Sequence, residues 1–265
     1  MRFLIIGASG FLGETIYKKL KDRNQEVKGT YSSNKRTDEY IYLDVLNTDN
    51  LLGLYETYQP DVVIWTVMNA ELEEEIAERS IYPLINKMRK TRFIFLSTSV
   101  ACEENMGEDV TPVIRNSDMY HYHYFNGKIK SENYIKDYDN FVIVRPGSIY
   151  GKNPFGIYDK RTQLLKKYID NKEIYVRAAN IVFSIVEVND LADCIIELSE
   201  GNYVGIINIS EEIPISHYDF NIALCNRYGF DSEYVIPNIE KENIYYFDNS
   251  LRKRILRTKI GSLER

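Results

Sequence analysis

Apolar runs alternate with helical periods along the first half of the chain. Residues 1–6 form a short apolar run that is typical of a buried parallel strand, and beyond Gly10 apolar side chains recur every fourth residue at Leu12, Ile16 and Leu20. The pattern therefore predicts a strand, a glycine-rich turn and a helix in direct succession.

The same alternation continues to residue 145. It predicts further strands at 25–31, 41–43, 61–66, 92–96 and 140–144, and helices at 11–22, 51–58, 71–90 and 120–138. Pro83 interrupts the helix 71–90, and we expect it in the first turn of a new segment capped by Ser80, because proline is not tolerated in a helix interior. Alternating strands and helices predict an α/β fold, a Rossmann-type doubly wound parallel sheet with ligands at the carboxyl ends of its strands.

Beyond Arg145-Pro146-Gly147 the pattern loosens. Helices are predicted at 160–168, 189–198 and 216–228, the second with Asn189 as its N-cap, and strands at 183–188 and 205–209. We expect a smaller C-terminal substrate lobe. The expected division is a core of residues 1–155 plus about 178–203 and a lobe of about 156–177 plus 204–265. The basic tail 251–259 is expected to be a solvated helix face.

The turn between the first strand and the first helix contains three glycines, Gly7, Gly10 and Gly13. In that position one glycine permits the tight turn, one lets backbone N–H groups approach a pyrophosphate, and one allows the helix to pack closely on the strand. The helix N-terminus adds a partial positive charge. We therefore expect a dinucleotide phosphate to be bound by Gly7, Ser9, Gly10, Phe11, Leu12 and Gly13.

Composition narrows the class of protein. With 265 residues the chain can bury a sizeable core, and an excess of acidic over basic side chains, 39 to 33, does not suggest a nucleic-acid surface. Cys102, Cys194 and Cys225 lack CxxC spacing, which indicates neither a disulfide framework nor a zinc site and fits a reducing cytoplasm. No apolar run approaches the roughly 18 residues of a membrane span, so a soluble, cytoplasmic protein is expected.

Two polar stretches are candidates for chemistry. Ser97-Thr98-Ser99 follows a predicted strand, where hydroxyls would face the ligand crevice, although serine and threonine are also ordinary turn formers there. Tyr124 and Lys128 lie four apart on a predicted helix and so share a face. A nearby cation favours phenolate, which makes a tyrosine a better proton donor and acceptor near neutral pH. The same spacing occurs elsewhere in the chain, but only this pair follows a strand that ends in Ser-Thr-Ser.

In this order the motifs resemble the extended short-chain dehydrogenase/reductase superfamily, the NAD(P)-dependent epimerases, dehydratases and reductases of sugar nucleotides. The resemblance covers nearly the whole chain. It rests on the glycine spacing, Leu43-Asp44-Val45, Pro60-Asp61-Val62-Val63-Ile64, the Ser-Thr turn, Tyr124/Lys128, Arg145-Pro146-Gly147 and residues 186–193. The short length and Leu96-Ser97-Thr98 look most like the dTDP-4-dehydrorhamnose reductase branch, which reduces a 4-keto nucleotide sugar.

The resemblance implies a role for each matching residue. Thr98 would hydrogen-bond the reacting oxygen, Tyr124 would donate the proton, and Lys128 would hold the nicotinamide ribose while lowering the tyrosine pKa. Hydride would come from the cofactor. The other expected cofactor contacts are Asp44, Val45, Thr66, Val67, Met68 and Pro146. The expected substrate contacts are Ser99 and Ser148, with Arg177 as the best candidate to bind the diphosphate of a nucleotide sugar.

No acid closes the second predicted strand, where a carboxylate would accept the adenosine ribose hydroxyls. The residues there are Tyr31, Ser32, Ser33, Asn34, Lys35 and Arg36. An acid would repel a 2′-phosphate, whereas this polar and basic run can bind one, unless it is merely a solvated loop. NADP(H) is therefore favoured, with NAD(H) as the alternative.

Several residues depart from the superfamily. Val67-Met68-Asn69 replaces the usual small residues, Ser80 stands where many members carry asparagine, and Ser99-Val100 replaces the Asp-Glu pair of the 4,6-dehydratases, which argues against dehydration. The expected function is reduction of a nucleotide-linked keto sugar. The alternatives are a nucleotide-sugar epimerase and, from another class, a non-catalytic NADP-binding regulatory module that resembles the regulatory subunits of methionine adenosyltransferase.

Two further expectations concern partners. His121 and His123 point in different directions at helical spacing and lack a third ligand, so no metal site is expected. By analogy with many relatives, the helix that carries Tyr120, Tyr124 and Tyr134 could contribute to a homodimer face.

Overall fold

The computed structural model describes residues 1–100, 104–241 and 244–264. The strands are β1 Arg2–Ile6, β2 Glu26–Tyr31, β3 Ile41–Tyr42, β4 Val62–Trp65, β5 Arg92–Leu96, β6 Phe141–Pro146, β7 Ser148–Tyr150, β8 Tyr175–Ala178, β9 Val182–Phe183, β10 Ile185–Glu187, β11 Gly205–Ile209, β12 Ile215–Ser216, β13 Val235–Asn238 and β14 Ile244–Tyr245. The α-helices are α1 Phe11–Asp22, α2 Thr48–Tyr58, α3 Glu73–Ile76, α4 Tyr82–Lys87, α5 Tyr122–Ile135, α6 Lys160–Asp170, α7 Val188–Glu200, α8 His217–Tyr228 and α9 Ser250–Ile255. A π-helical turn, Ala77–Ile81, joins α3 to α4, and a 3₁₀ turn, Ser232–Tyr234, precedes β13.

A seven-stranded sheet forms the centre of the molecule in the order β11-β6-β5-β4-β1-β2-β3. All six neighbouring pairs are parallel. In the middle of the sheet Ile64 lies opposite both Ile5 and Ile94, so the most apolar strands are the most central. This arrangement confirms the predicted Rossmann-type doubly wound sheet.

Helices cover both faces of this sheet because alternate strand residues point to opposite sides. On one face Phe3 and Ile5 pack in a cluster that includes side chains of α1 and α7. On the other face Leu4 and Ile6 pack in a cluster with side chains of α2, α4 and α5. The predicted spacing of apolar residues in α1 is confirmed, since Leu12, Ile16 and Leu20 are all buried.

Three small sheets lie outside the central one, pairing β7 with β10, β9 with β12 and β14, and β8 with β13. They share a separate apolar cluster with α6 and α8. The prediction assigned residues from 204 onward to a small lobe, but β11 pairs with β6 along the edge of the central sheet and belongs to the core. The helix α7 immediately precedes β11 in the chain, and Ile207 and Ile209 of β11 are buried in the same apolar cluster as side chains of α7. The remaining division into core and lobe stays a prediction.

The segment between β4 and β5 differs from the predicted capped helix. The chain passes from α3 to α4 without a break through the π turn Ala77–Ile81, and Pro83 lies in the first turn of α4, where its missing N–H is tolerated. Ser80 is buried and donates its hydroxyl to the carbonyl of Val45 at 2.8 Å, so it ties this segment to the loop after β3 and does not cap a helix.

Two further local predictions were wrong. The N-cap of α7 is Glu187, whose carboxylate accepts from the N–H groups of Asn189 and Asp190, because the helix begins one residue earlier than expected. The basic tail is helical only as far as Ile255, and Arg252 within it is buried at 4% exposure, so it is not a purely solvated face.

Cys194 and Cys225 are free and buried, and Cys102 lies outside the described residues. None of the helices in the described ranges is long and apolar enough to cross a membrane.

Candidate active site

The glycine turn brings the backbone of α1 against the end of β1. Gly7 has a φ of +91°, a conformation that side chains rarely adopt. A Cβ on Gly13 would lie 2.3 Å from the carbonyl oxygen of Gly7, so only glycine permits this approach of helix to strand. The Thr66 hydroxyl donates to the same carbonyl at 3.1 Å, which joins the end of β4 to the turn.

The first N–H groups of α1 are the ones that a phosphate would meet. Earlier in the turn the amides have partners in the chain, since Gly7 N donates to the Thr30 hydroxyl at 3.0 Å and Gly10 N donates to Gly7 O at 3.0 Å. Gly10 is the N-cap of α1 and supplies no side-chain acceptor. The amides of Phe11, Leu12 and Gly13 therefore lie at a helix N-terminus without a cap, which is the arrangement that binds anions.

The polar run after β2 lies on the surface beside this turn. Tyr31 is half-buried, and Ser32, Ser33, Lys35 and Arg36 are exposed. Lys35 Nζ lies 2.7 Å from a carboxylate oxygen of Asp38, and Arg36 Nε lies 3.2 Å from Oε1 of Glu14. Both cations that we expected at a 2′-phosphate therefore have acidic neighbours within the chain.

Glu14 is a buried acid in the first turn of α1, directly after Gly13. Burial raises the pKa of its carboxyl group, while Arg36 and a hydrogen bond from Asn153 act in the opposite direction. The sequence prediction missed Glu14, because an acid in the first turn of a helix is ordinary and gives no separate signal.

Asp44 and Val45, two of the expected cofactor contacts, occupy the loop after β3. A carboxylate oxygen of Asp44 accepts a hydrogen bond from Leu46 N at 3.0 Å. The carbonyl oxygen of Val45 accepts a hydrogen bond from the Ser80 hydroxyl. Leu43 N donates to Tyr31 O at 2.8 Å, so this loop lies alongside the polar run after β2.

Thr98 and Tyr124 meet at the carboxyl end of β5. Both side chains are half-buried, and the Thr98 hydroxyl forms a side-chain hydrogen bond with the Tyr124 phenol. Burial raises the pKa of Tyr124 to about 12, the hydrogen bond from Thr98 lowers it, and the negative charge of Glu73 raises it further. Tyr124 is therefore a phenol, and a potential proton donor, throughout the neutral range.

Lys128 lies one turn further along α5 and is buried at 1% exposure. Its Nζ lies 3.0 Å from the carbonyl oxygens of Val67 and Leu96, at the ends of β4 and β5, and 2.8 Å from Oε1 of Glu73. An ammonium group has three N–H donors, and three protein oxygens surround this one. Two of the three oxygens, the carbonyls, accept hydrogen bonds from the ammonium, whereas Glu73 Oε1 lies at ion-pair distance and has no hydrogen-bond partner among the described residues.

The pKa of Tyr124 is raised, although Lys128 lies one turn away on α5. Its Nζ lies 5.9 Å from the centre of the Tyr124 ring, but the buried carboxylate of Glu73 neutralises it at half that distance. Burial of the phenol decides the direction in which its pKa moves, and the lowering by Lys128 that the resemblance implies stays a prediction.

The sequence prediction also missed Glu73, which is fully buried. Its second carboxylate oxygen accepts from Asn69 N at 2.8 Å, so the residue joins the loop after β4 to α5. In the sequence Glu73 is one of four glutamates between residues 71 and 75, a run that is typical of a solvated helix face. Nothing in the spacing separates it from its exposed neighbours.

Gly127 explains how Glu73 reaches Lys128. A Cβ at Gly127 would lie 2.3 Å from the backbone carbon of Glu73, so α3 and α5 touch at this residue. The absence of a side chain at position 127 sets the distance between the two helices and thereby the distance between the acid and the ammonium.

A second buried ion pair lies one turn beyond Lys128 on α5. Glu132 receives two hydrogen bonds from the Arg145 guanidinium, at 3.0 and 2.7 Å, and a third from the Ser97 hydroxyl at 2.6 Å. Both charged side chains are at most 1% exposed. This network fixes α5 to the ends of β5 and β6, and with them the segment that carries Thr98.

The remaining predicted contacts lie near the same edge of the sheet. Val67 contributes its carbonyl to Lys128, and Met68 is 58% exposed in the loop that follows β4. Ser99 is half-buried directly after Thr98. Pro146 ends β6, and Ser148 begins β7 with its N–H donating to Ser184 O at 2.8 Å.

Arg177 lies apart from this group, on β8. Its Nη2 lies 3.1 Å from Nδ1 of His217, and its guanidinium stacks on the Tyr175 ring. Burial lowers the pKa of His217 to about 4, and the charges of Arg177 and Arg161 act in the same direction. The contacts described for Arg177 therefore place it in the small lobe with a neutral histidine, and none of them reaches Thr98 or Tyr124.

The two histidines before Tyr124 have separate local partners. The His121 ring packs against the Tyr120 ring at a tilt of 55°, and His123 Nδ1 lies 2.8 Å from a carboxylate oxygen of Glu74. Within the part of the chain that the structure describes, no group of three His, Cys, Asp or Glu side chains could hold a metal ion.

Comparison with solved structures supports the fold. A hypothetical dTDP-4-dehydrorhamnose reductase from Sulfolobus tokodaii superposes with a TM-score of 0.82 at 22% identity, covering 100% of this chain and 98% of that one. WbmH of Bordetella bronchiseptica, solved with NAD⁺, gives 0.83 at 15% identity and covers 99% and 94% of the two chains. A dTDP-4-dehydrorhamnose reductase of Bacillus anthracis, solved with NADP, gives 0.76 at 17% identity and covers 99% and 94%.

One curated relative shares part of the sequence. The β subunit of methionine adenosyltransferase 2 from Danio rerio is 27% identical over 85 residues. That match spans 32% of this chain and only 25% of the relative's length.

A family assignment follows from the sequence as a whole. Residues 3–210 match the NAD-dependent epimerase/dehydratase family, a region that includes the glycine turn, Thr98, Tyr124 and Lys128. The match confirms the predicted resemblance to NAD(P)-dependent enzymes of the short-chain dehydrogenase/reductase type and, with it, a nicotinamide cofactor. The chain belongs to the NAD-dependent epimerase/dehydratase family.

Proposed function

We propose that the protein is an NAD(P)H-dependent reductase that acts on the keto group of a nucleotide-linked sugar. The observation that carries this proposal is the junction of Thr98 with Tyr124 at the carboxyl end of β5, one helical turn from Lys128. Two hydroxyls held together in this way can both bind a carbonyl oxygen. The phenol is protonated at neutral pH, as a reductase requires of its proton donor.

The glycine turn supports a dinucleotide at this site. Only glycine fits where a Cβ at position 13 would lie 2.3 Å from a backbone oxygen, and the first amides of α1 lack a side-chain cap. Phe11, Leu12 and Gly13 would hold the pyrophosphate, with Gly7, Ser9 and Gly10 shaping the turn. The expected contacts to the rest of the cofactor are Asp44, Val45, Thr66, Val67, Met68 and Pro146. When bound, the reduced nicotinamide supplies a hydride to the carbonyl carbon.

The chain's own residues complete the reaction. Thr98 and Tyr124 orient the carbonyl oxygen, and Tyr124 transfers its phenolic proton to that oxygen as the carbon receives the hydride. The resulting tyrosinate regains a proton from water, so the residue is restored. Ser99 and Ser148 are the proposed contacts of the sugar, and Arg177 is the proposed partner of the diphosphate.

NADP(H) is the proposed cofactor form, with NAD(H) as the alternative. Arg36 contacts Glu14 through Nε, which leaves its two terminal nitrogens to bind a 2′-phosphate. Against this, Lys35 and Arg36 both have acidic neighbours, which reduces the net positive charge of the run. The related folds have been solved with either cofactor.

Two other functions compete with reduction. The Sulfolobus and Bacillus neighbours carry reductase names, whereas a Thermotoga maritima neighbour is a UDP-glucose 4-epimerase, with a TM-score of 0.77. The partial match to a methionine adenosyltransferase subunit favours a non-catalytic cofactor-binding module. The intact Thr98, Tyr124 and Lys128 set argues for catalysis over that alternative.

The experiment is cofactor oxidation by the wild type and a Tyr124→Phe variant in the presence of keto-sugar nucleotides, including dTDP-4-dehydrorhamnose. We expect the variant to lose at least about a hundredfold in turnover, because general-acid catalysis contributes that much, and to keep its cofactor affinity. A variant that still turns over at the wild-type rate would refute the assigned mechanism. Tight cofactor binding without turnover of any carbonyl in the panel would favour the binding module.

The expected cytoplasmic location, the absence of nucleic-acid partners and the homodimer remain predictions. Analytical ultracentrifugation would test the dimer.

A further inference from the structure

A buried acid and an exposed arginine meet beside the glycine turn. Glu14 Oε1 lies 3.2 Å from Arg36 Nε, and the two side chains are 1% and 41% exposed. Glu14 Oε1 has no hydrogen-bond partner among the described residues, so Arg36 approaches it at ion-pair distance without a directed hydrogen bond. The negative charge is therefore buried, while the guanidinium that faces it remains accessible to a ligand.

The two residues belong to the segments between which a dinucleotide fold holds the adenosine ribose, namely the start of the first helix and the loop after the second strand. These segments contact each other directly. Gly7 N donates to the Thr30 hydroxyl at 3.0 Å, and Ser9 N donates to the Thr30 carbonyl at 3.3 Å. A phosphate on the 2′-oxygen of that ribose would therefore lie close to both charges.

We propose that Glu14 is a selectivity-determining residue, whose buried carboxylate offsets the charge of Arg36 so that the protein prefers NADPH over NADH only slightly. The inference rests on the proposed function, because it concerns the cofactor form that the proposed reductase uses. A 2′-phosphate is attracted by Arg36 and repelled by Glu14, whereas the 2′-hydroxyl of NADH carries no charge on which either can act.

The loop after β7 holds the carboxylate of Glu14 in place. Asn153 Nδ2 donates a hydrogen bond to Glu14 Oε2. Asn153 is itself fixed, because its Oδ1 accepts from Phe155 N at 3.1 Å and from Ile157 N at 2.9 Å. One carboxylate oxygen is thus held by this loop, and the other faces Arg36.

The other acids beside the loop after β2 do not replace Glu14 in this role, because they are exposed. Asp38, which pairs with Lys35, is 98% exposed, and Glu39, which pairs with Lys21, is 57% exposed. Water screens both of these charges. The carboxylate of Glu14 is buried, so its charge acts on a neighbouring phosphate with much less screening.

The test is the ratio of the dissociation constants of NADH and NADPH, measured by cofactor fluorescence titration without a sugar. Glu14→Gln keeps the shape of the side chain and an oxygen for Asn153 but removes the charge. We expect NADPH to bind about tenfold tighter relative to NADH, because Arg36 is then free to form a charge-assisted contact with the phosphate. Asp38→Asn is the matched control. It removes the same charge from an exposed partner of Lys35 and should change the ratio less than about twofold.

An unchanged ratio in Glu14→Gln would overturn the proposal. An equal gain in affinity for both cofactors would also overturn it, because Glu14 would then act on the pyrophosphate that they share. If Glu14→Gln does not fold, the wild type decides the question, since the proposal requires its preference for NADPH to stay within about tenfold and a larger preference contradicts it. No sugar takes part in these titrations, so a chain whose ratio shifts as expected but that reduces no keto sugar would refute the proposed function and leave the role of Glu14 intact.

Discussion

The two ends of the proposed cofactor site are built differently. At the end where chemistry is proposed, Lys128 and Glu73 form a buried pair with fixed partners. At the end beside β2, Lys35 and Arg36 are 47% and 41% exposed and each has one acidic neighbour. At the first end the charged side chains are buried and contact each other. At the second end the charged side chains are exposed, so a ligand can bind to them.

The contrast has an energetic consequence. A buried ion pair is expensive to break from one side, because the remaining charge is left without solvent or partner. An exposed pair contributes at most about 1 kcal/mol, since water replaces the lost partner. Substitutions at the buried end should therefore change folding and catalysis, and substitutions at the exposed end should change ligand preference alone.

The largest expected effect is on stability, at the pair of Glu132 and Arg145. Glu132→Ala leaves the Arg145 guanidinium buried without its carboxylate, and we expect a loss of about 3–5 kcal/mol in the free energy of unfolding, measured by urea denaturation. The matched control is Glu78→Ala. Glu78 is 57% exposed and pairs with Lys130, which lies on α5 like Glu132, so its loss should lower the free energy of unfolding by less than about 1 kcal/mol. Equal losses in the two variants would contradict the contrast.

The next effect concerns the contact between α3 and α5. Gly127→Ala places a methyl group 2.3 Å from the Glu73 backbone, so the helices must separate, at a cost of about 1–3 kcal/mol. Gly53→Ala is the control, because Gly53 lies within α2 with nothing within 4 Å of an added Cβ. That variant should gain about 0.5–1 kcal/mol from helix propensity. Urea denaturation of both variants measures whether the free energy of unfolding falls in Gly127→Ala and rises in Gly53→Ala.

At the exposed end the expected effect is smaller and specific to one cofactor. Arg36→Ala should weaken NADPH binding by about tenfold, because one charge-assisted contact to a 2′-phosphate is lost, and should leave NADH binding unchanged. Lys35→Ala should weaken NADPH binding less. The Lys35 ammonium cannot form the paired hydrogen bonds of a guanidinium, and it already pairs with Asp38. Cofactor fluorescence titration measures all four affinities. An equal loss for NADH and NADPH would refute a 2′-phosphate site at Arg36.

The smallest expected effect is that of pH on the rate of reduction. Because burial raises the pKa of Tyr124 to about 12, the phenol stays protonated at every lower pH, and the donor is not lost as the pH rises through the neutral range. We expect the single-turnover rate to change less than about twofold between about pH 6 and 9. A steep fall above neutral pH would show that the phenol ionises there.

The sequence alone was sufficient to predict the fold and to select the residues of the candidate site. Apolar runs such as Leu4 to Ile6 alternate with helical periods, and this local pattern fixes which residues can be buried in a parallel sheet. Gly13 was identified from its place between strand and helix, and the backbone lies so close to it that no side chain would fit. Thr98 and Tyr124 were identified from their order along the chain, and the structure brings them into contact.

The tertiary structure alone decided the charges of the site. Glu73 and Glu74 are adjacent glutamates in the same acidic run, yet the first is buried against Lys128 and the second is half-buried beside His123. Which of them is buried depends on the close crossing of α3 and α5 at Gly127, a contact between segments more than 50 residues apart. Local patterns specify which residues are apolar and which are helical, but the partner of a buried charge is set by distant segments. For that reason the sequence indicated Lys128, whereas only the fold showed the carboxylate that lies beside it.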